Sequence, residues 1–204
     1  MKTELDVLRD VSQRLESAGV AFMLTGSMAM NFYAQPRMTR DIDLVVKLTA
    51  DQTDLLISLF EAEYYVDRLA IARAIAQRSV FNLIHNETII KFDCIVLKDH
   101  QYRQEEFARR QRITISDFQA WIVTREDLIL SKLYWARDSK SELQQALMND
   151  TDPKIAELVR QRLLERSGTE RVIMASGMFE TAKAMVLASL PTGLSEIENQ
   201  GSPR

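Results

Sequence analysis

Residues 24–46 read LTGSMAMNFYAQPRMTRDIDLVV. An apolar segment runs into Gly26–Ser27, thirteen residues follow, and Asp41-Ile42-Asp43 then opens a second apolar run. Strand interiors rarely carry charge that is neither used nor paired. In a strand, alternate side chains share a face, so Asp41, Asp43 and Val45 fall on one side and Ile42, Leu44 and Val46 on the other. The second face belongs under helices. The first carries two carboxylates roughly 6.5 Å apart along the strand. A hard cation such as Mg²⁺ takes one or two carboxylates and leaves positions for phosphate oxygens.

A later stretch, TIIKFDCIVL (88–97), repeats the pattern. Lys91, Asp93 and Ile95 share one face, and Phe92, Cys94 and Val96 share the other. Three acids on neighbouring strands would suit two metal ions about 3.5–4 Å apart in an in-line phosphoryl displacement. Unpaired, they would repel, so at least one should hold its proton more tightly than an ordinary carboxylate. Gly26–Ser27 sits at a strand-to-helix junction, where free backbone N–H groups bind anions and glycine permits close approach. Ser27 reads as the N-cap of a short helix to about Tyr33, broken at Pro36.

The remaining pattern is mixed. Leu5, Val7, Leu8, Val11 and Leu15 mark an amphipathic helix closed by Gly19, and VAFMLTG (20–26) reads as a strand. Thr49 caps a helix over 50–63, and another covers roughly 67–78. Two strands meet about Asn86 as a hairpin. RITISDFQAWIVT (112–124) adds more strand. Thr124 and Asp127 form a capping box opening the helix REDLILSKLYWARDSKSELQQAL. Pro153 starts a helix to about Arg166, and a longer one spans about Glu170–Leu190. The fold class is α/β (α+β): a small mixed sheet with flanking helices over 1–146, a C-terminal helical hairpin over 147–190, and a tail over 191–204.

Composition narrows the function. The 204 residues are 46% hydrophobic and 27% charged with a net charge of −3, which suits a globular domain and argues against a bulk nucleic-acid binder. No apolar run approaches the roughly 20 residues of a membrane span, and the first helix has no signal-peptide core, which points to a cytoplasmic protein. One cysteine and two histidines leave little for a disulfide or a soft-metal site. Arg103, Arg109, Arg110 and Arg112 make a basic stretch, read as a solvated helix face partnered by Glu105 and Glu106, with a phosphate patch as the alternative.

A strand ending in Gly-Ser, a short helix, Asp-x-Asp on the next strand and a third Asp on a later one resembles the nucleotidyltransferase superfamily, whose fold is shared with DNA polymerase beta. GSMAMNFYAQPRMTRDIDLVV looks most like the branch of AbiEii-type toxins and minimal nucleotidyltransferases, where an Arg and a Thr precede Asp-x-Asp as Arg37 and Thr39 do here. DLILSKLYWARD (127–138) also resembles that branch. The resemblance covers roughly 20–140. It implies a Mg²⁺- or Mn²⁺-dependent enzyme that moves NMP from an NTP such as ATP to an acceptor hydroxyl on an RNA end such as tRNA, a protein or a small molecule. In this scheme Asp41, Asp43 and Asp93 hold metal, with Asp93 also helping to deprotonate the acceptor. Gly26, Ser27, Arg37 and Lys132 hold the nucleotide. A solvated surface residue is the alternative for Lys132.

The chain departs from the branch after Ser141, leaving only Asp138 as a later acidic candidate. The hairpin resembles small helical proteins found beside such transferases. A non-catalytic nucleotide- or partner-binding module of a toxin–antitoxin pair is therefore the competing reading. The apolar face from Val172 to Leu190 should rest on the 128–135 helix or on a second copy, and a homodimer is the expected outcome, with an antitoxin as another partner. Gly177 and nearby alanines would allow close helix packing.

Overall fold

The computed structural model describes residues 2–39, 41–136 and 153–189. Helix α1 (Glu4–Ser17) begins with a reciprocal capping box between Thr3 and Asp6 and ends before Gly19, which has φ +68°. Its Val7, Leu8, Val11 and Leu15 are buried, as their helical spacing requires. Strand β1 (Phe22–Thr25) leads directly into α2 (Gly26–Tyr33), and β2 (Asp41–Val46) follows. A 3₁₀ turn (Ala50–Gln52) precedes α3 (Thr53–Phe60); β3 (Tyr64–Tyr65), α4 (Arg68–Gln77), β4 (Val80–His85) and β5 (Lys91–Val96) come next. The chain continues through α5 (Gln101–Ala108), β6 (Gln111–Ile115), β7 (Phe118–Ile122) and α6 (Arg125–Ala136). The last helices are α7 (Pro153–Leu164) and α8 (Gly168–Ser189). No helix among the described residues is long and apolar enough to cross a membrane.

The strands form one mixed sheet in the order β3-β4-β5-β2-β1-β7-β6. It is parallel at β2–β5 and at β1–β7 and antiparallel elsewhere. Ile42, Leu44, Val46, Phe92, Cys94 and Val96 are buried in the hydrophobic core on one face of β2 and β5. Asp41, Asp43, Val45, Lys91, Asp93 and Ile95 are half-buried on the other. The alternation expected from the sequence therefore holds in both strands, and it puts the acids on a common face.

Two local expectations change. Helix α2 starts at Gly26, and its N-cap is Thr25, in extended backbone and without a side-chain cap hydrogen bond. Ser27 is thus inside the helix, and its hydroxyl is free for another partner. The basic stretch also differs from a solvated face. Glu106 is 3% exposed and sits between Arg103 and Ser131, because α5 lies against α6 there. Arg109 pairs with buried Asp127, and Arg110 stacks on Phe107 and Trp121.

The start of the hairpin's second helix has a support that the sequence did not point to. The start of α8 is seated on α2 and β6 of the same chain. Arg171, 9% exposed, donates to the carbonyls of Phe32, Leu164 and Arg166. Thr169 donates to the Thr114 carbonyl at 2.7 Å. A Cβ at Gly168 would fall 2.7 Å from the Phe32 ring, so this glycine permits the approach. Ser167 and Glu170 cap α8 reciprocally. Asp138 and the 191–204 tail lie outside the described residues.

Candidate active site

Parallel pairing of β2 with β5 sets Asp43 directly opposite Asp93 and Asp41 opposite Lys91. Antiparallel pairing with β4 sets Asn82 opposite Asp93 from the other side. Antiparallel pairing of β1 with β2 places Thr25 opposite Asp43, which brings the Gly26–Ser27 turn onto the same carboxylate. The approach is close. Gly26 has φ +65°, and a Cβ there would fall into the Asp43 carboxylate and 2.8 Å from its Cβ. Glycine is needed both for the backbone angle and for the space.

The surroundings of Asp43 disfavour its charge. Burial pushes its pKa up, the neighbouring Asp93 charge pushes it further, and Asp41 adds to the rise. The Ser27 backbone N–H and the Lys132 ammonium oppose that rise. This matches the expectation that at least one acid would hold its proton more tightly. It also places half-buried Lys132 on the acids' side of α6.

Asp93 accepts from the Asn82 amide through Oδ1 and faces Lys91 Nζ at 3.2 Å through Oδ2. Lys91 Nζ also stands 3.5 Å from Asp41 Oδ1, and against the opposing effect of burial Asp93 first and Asp41 second raise its pKa. Among the described residues no three His, Cys, Asp or Glu side chains stand in a metal-holding group. The three acids therefore do not meet on one spot as the sequence suggested. Asp43 and Asp93 are immediate neighbours, while Asp41 is drawn to the lysine between itself and Asp93.

The donor set still suits a divalent cation. Adjacent hard carboxylates carry excess negative charge, a side-chain ammonium already stands among them, and Mg²⁺ needs only one or two carboxylates when phosphate supplies further oxygens.

Arg37 is held from behind. The buried Asn31 side chain accepts from the Arg37 N–H and donates to its carbonyl, both at 2.9 Å. The guanidinium then reaches Ser27 Oγ at 3.0 Å. Thr39 donates to the Asp41 carbonyl at 3.2 Å, steadying the entry to β2. A cation and a hydroxyl thus stand together at the first turn of α2.

A cleft of about 960 Å³ opens over this face. Its wall includes Thr25, Gly26, Asp43, Asp93 and Lys132, then apolar Val45, Ile95 and Leu128, then Arg103, Glu106 and Ser131. Arg103 Nη1 donates to Glu106 at 2.7 Å and to Ser131 at 2.7 Å, and Ser131 donates to Glu106 at 2.8 Å. This triangle ties α5 to α6 one residue before Lys132.

Of the residues singled out in the sequence, Gly26, Ser27, Asp43, Asp93 and Lys132 come together, with Arg37 joined through Ser27 and Asp41 through Lys91. Asn31, Asn82, Lys91, Arg103, Glu106 and Ser131 are additional members. Lys91 had a readable signal, since it shares the strand face of Asp93. Asn82 becomes legible once the hairpin register is known.

No family model matches the chain, and no curated protein matches its sequence. Among solved structures it is similar to a protein from Thermotoga maritima provisionally assigned as a nucleotidyltransferase. Identity is 16% and TM-score 0.48, over 72% of this chain and 93% of that one. It is also similar to a lincosamide antibiotic adenylyltransferase with lincomycin bound, at 18% identity and TM-score 0.43, over 63% and 84% of the two chains. The antibiotic-resistance factor ANT(2'')-Ia matches at 14% identity and TM-score 0.41, over 91% and 95%. At such identities and TM-scores these likenesses decide nothing about the chemistry of this chain, which rests on its own residues.

Proposed function

We propose that this chain is a nucleotidyltransferase that moves NMP from an NTP to an acceptor hydroxyl with a divalent cation, Mg²⁺ or Mn²⁺, held by Asp43 and Asp93 with Asp41 beside them. The observation that carries the reading is the coincidence, on one carboxylate, of the Asp93 charge, the Gly26 cradle, the Ser27 N–H and the Lys132 field. A purely structural strand would gain nothing from concentrating negative charge there.

When bound, the cation neutralises charge on the phosphate oxygens and acidifies the attacking hydroxyl. The first turn of α2, with Ser27 and Arg37, binds the phosphates of the nucleotide through backbone N–H groups, a hydroxyl and a guanidinium. Lys132 offsets negative charge across the cleft. The acceptor oxygen forms a bond to the α-phosphorus, the bond from that phosphorus to the bridging oxygen of pyrophosphate breaks, and Asp93 takes the hydroxyl proton. Stabilising the charge on the transferring group accounts for most of the rate in such reactions. The AbiEii-type branch, a toxin–antitoxin role, a cytoplasmic location and an acceptor among RNA ends, proteins and small molecules belong to the same proposal.

The test is incubation of the full chain with each α-labelled NTP, Mg²⁺ or Mn²⁺ and cell extract, followed by fractionation into RNA, protein and small molecules. Transfer of label by the wild type, reduced about 100-fold or more in Asp43→Asn, supports the reading. No metal-dependent pyrophosphate release with any NTP overturns it and leaves a binding module.

A further inference from the structure

We infer that Lys91, seated between Asp41 and Asp93, is a built-in counter-ion that a divalent ion must displace from Asp93, and that it so sets the metal affinity of the site. The inference rests on the functional reading above, since it concerns the same carboxylates.

The strand geometry puts Lys91 there. It lies two residues before Asp93 on β5, hence on the same face, and directly opposite Asp41 across the β2–β5 ladder. Its ammonium stands 3.2 Å from Asp93 Oδ2 and 3.5 Å from Asp41 Oδ1. The other Asp93 oxygen accepts from Asn82. Both oxygens of Asp93 are therefore engaged, and a cation that reaches this carboxylate must do so beside these partners. Asn82 is neutral and can stay, because a carboxylate oxygen has a second lone pair for metal. Lys91 carries a charge of the same sign as the incoming ion and must leave.

Leaving is feasible. Side-chain exposures of 37% for Lys91 and 48% for Asp41 leave the pair open to water, and a long flexible stem lets the ammonium swing outward. A site whose competent state is only fractionally populated binds its ligand more weakly by that fraction. An ammonium engaged nine-tenths of the time would thus weaken metal binding about tenfold.

The experiment is calorimetric titration of the full chain with MnCl₂, alongside thermal unfolding with and without Mn²⁺, for wild type, Lys91→Met, Lys91→Arg and Asp43→Asn. Lys91→Met is expected to bind Mn²⁺ about tenfold more tightly, to unfold at a lower temperature than wild type without metal, and to gain more from added Mn²⁺. Lys91→Arg keeps the charge and should stay near wild type. Asp43→Asn should lose binding. Unchanged or weaker Mn²⁺ affinity in Lys91→Met, with wild type binding and Asp43→Asn not, overturns the counter-ion role while the metal site stands. A wild type that binds no Mn²⁺ overturns both.

Discussion

Replacing Gly26 by alanine tests the closest contact in the site, and Gly19 supplies its control. Both glycines have nearly the same backbone angle, φ +65° at Gly26 and φ +68° at Gly19. An alanine in that left-handed region costs about 1–2 kcal/mol, partly offset by about 0.4–1 kcal/mol from a stiffer unfolded chain. At Gly19 nothing lies within 4 Å of the new Cβ, so Gly19→Ala should lose only that backbone cost, about 1 kcal/mol. At Gly26 the new atom collides with the Asp43 carboxylate and stands 2.8 Å from its Cβ. The Asp43 side chain must rotate away, at about 0.5–1.5 kcal/mol for an off-rotamer torsion, and loses its Ser27 N–H partner. Moving that carboxylate toward water returns part of its desolvation cost. A net loss of about 2–3 kcal/mol follows for Gly26→Ala, of which roughly 1–2 kcal/mol is specific to the clash. For a chain of this size that corresponds to midpoints lowered by roughly 5–10 °C in Gly26→Ala and 2–4 °C in Gly19→Ala. Urea unfolding measures the difference, and nucleotide turnover measures its consequence. A carboxylate displaced by about 1 Å should cost about 100-fold in turnover in Gly26→Ala and nothing in Gly19→Ala. Equal stability losses in the two variants, or a fully active Gly26→Ala, would refute the cradle.

Two further outcomes follow from the polar contacts. Asn31→Ala removes both side-chain bonds to the Arg37 backbone, so the KM for NTP should rise about tenfold with little change in kcat, at about 2 kcal/mol of stability. An unchanged KM would mean that Arg37 does not need this anchor. Glu63 is held down to about 2 from an ordinary 4.5 by its bonds to Lys2 and Arg14. Its contribution is therefore present above the ordinary value and is lost as pH falls from about 4.5 through about 2. Glu63 is 43% exposed, so Glu63→Gln should cost under about 1 kcal/mol at neutral pH. The gap to wild type should close by about pH 2, and a gap constant across that range would refute the assignment.

Strand periodicity carried most of what was readable in advance. The half-buried acid face of β2 and of β5 follows from a period of two, and the hairpin about Asn86 follows from turn chemistry, whereas the β2–β5 register that sets Asp43 opposite Asp93 is a tertiary relation. Relations that depend on tertiary packing were not accessible. Glu106 reads as a surface partner of an arginine until α6 closes over α5 and brings Ser131 to it. Asn31 looks like an ordinary short-helix residue, because nothing local shows that the chain after Pro36 turns back onto it. The seat of the start of α8 on α2 and β6 was not legible for the same reason. Its apolar residues require a neighbour but do not specify which, and the close contact of Gly168 with Phe32 spans 136 positions of sequence.

Charge balance explains why both neutral and cationic partners gather at this face. Asp43 is pushed toward its protonated form by burial and by Asp93, and a carboxyl raised in this way favours the folded state at low pH and costs stability as pH rises through its folded value. Asp43→Asn should therefore unfold at a higher temperature than wild type near neutral pH, with the advantage shrinking under acid conditions, even as it abolishes turnover. A strand selected for stability alone would place an apolar or amide residue there. The chain instead distributes partial compensation over the Ser27 N–H, the Asn82 amide and two lysines, none of which closes the carboxylates off. Full neutralisation by a buried arginine would hold Asp43 more firmly, but it would leave no charge for a cation to meet. The cost of this incomplete compensation should appear as stability recovered when Asp43 is replaced by asparagine.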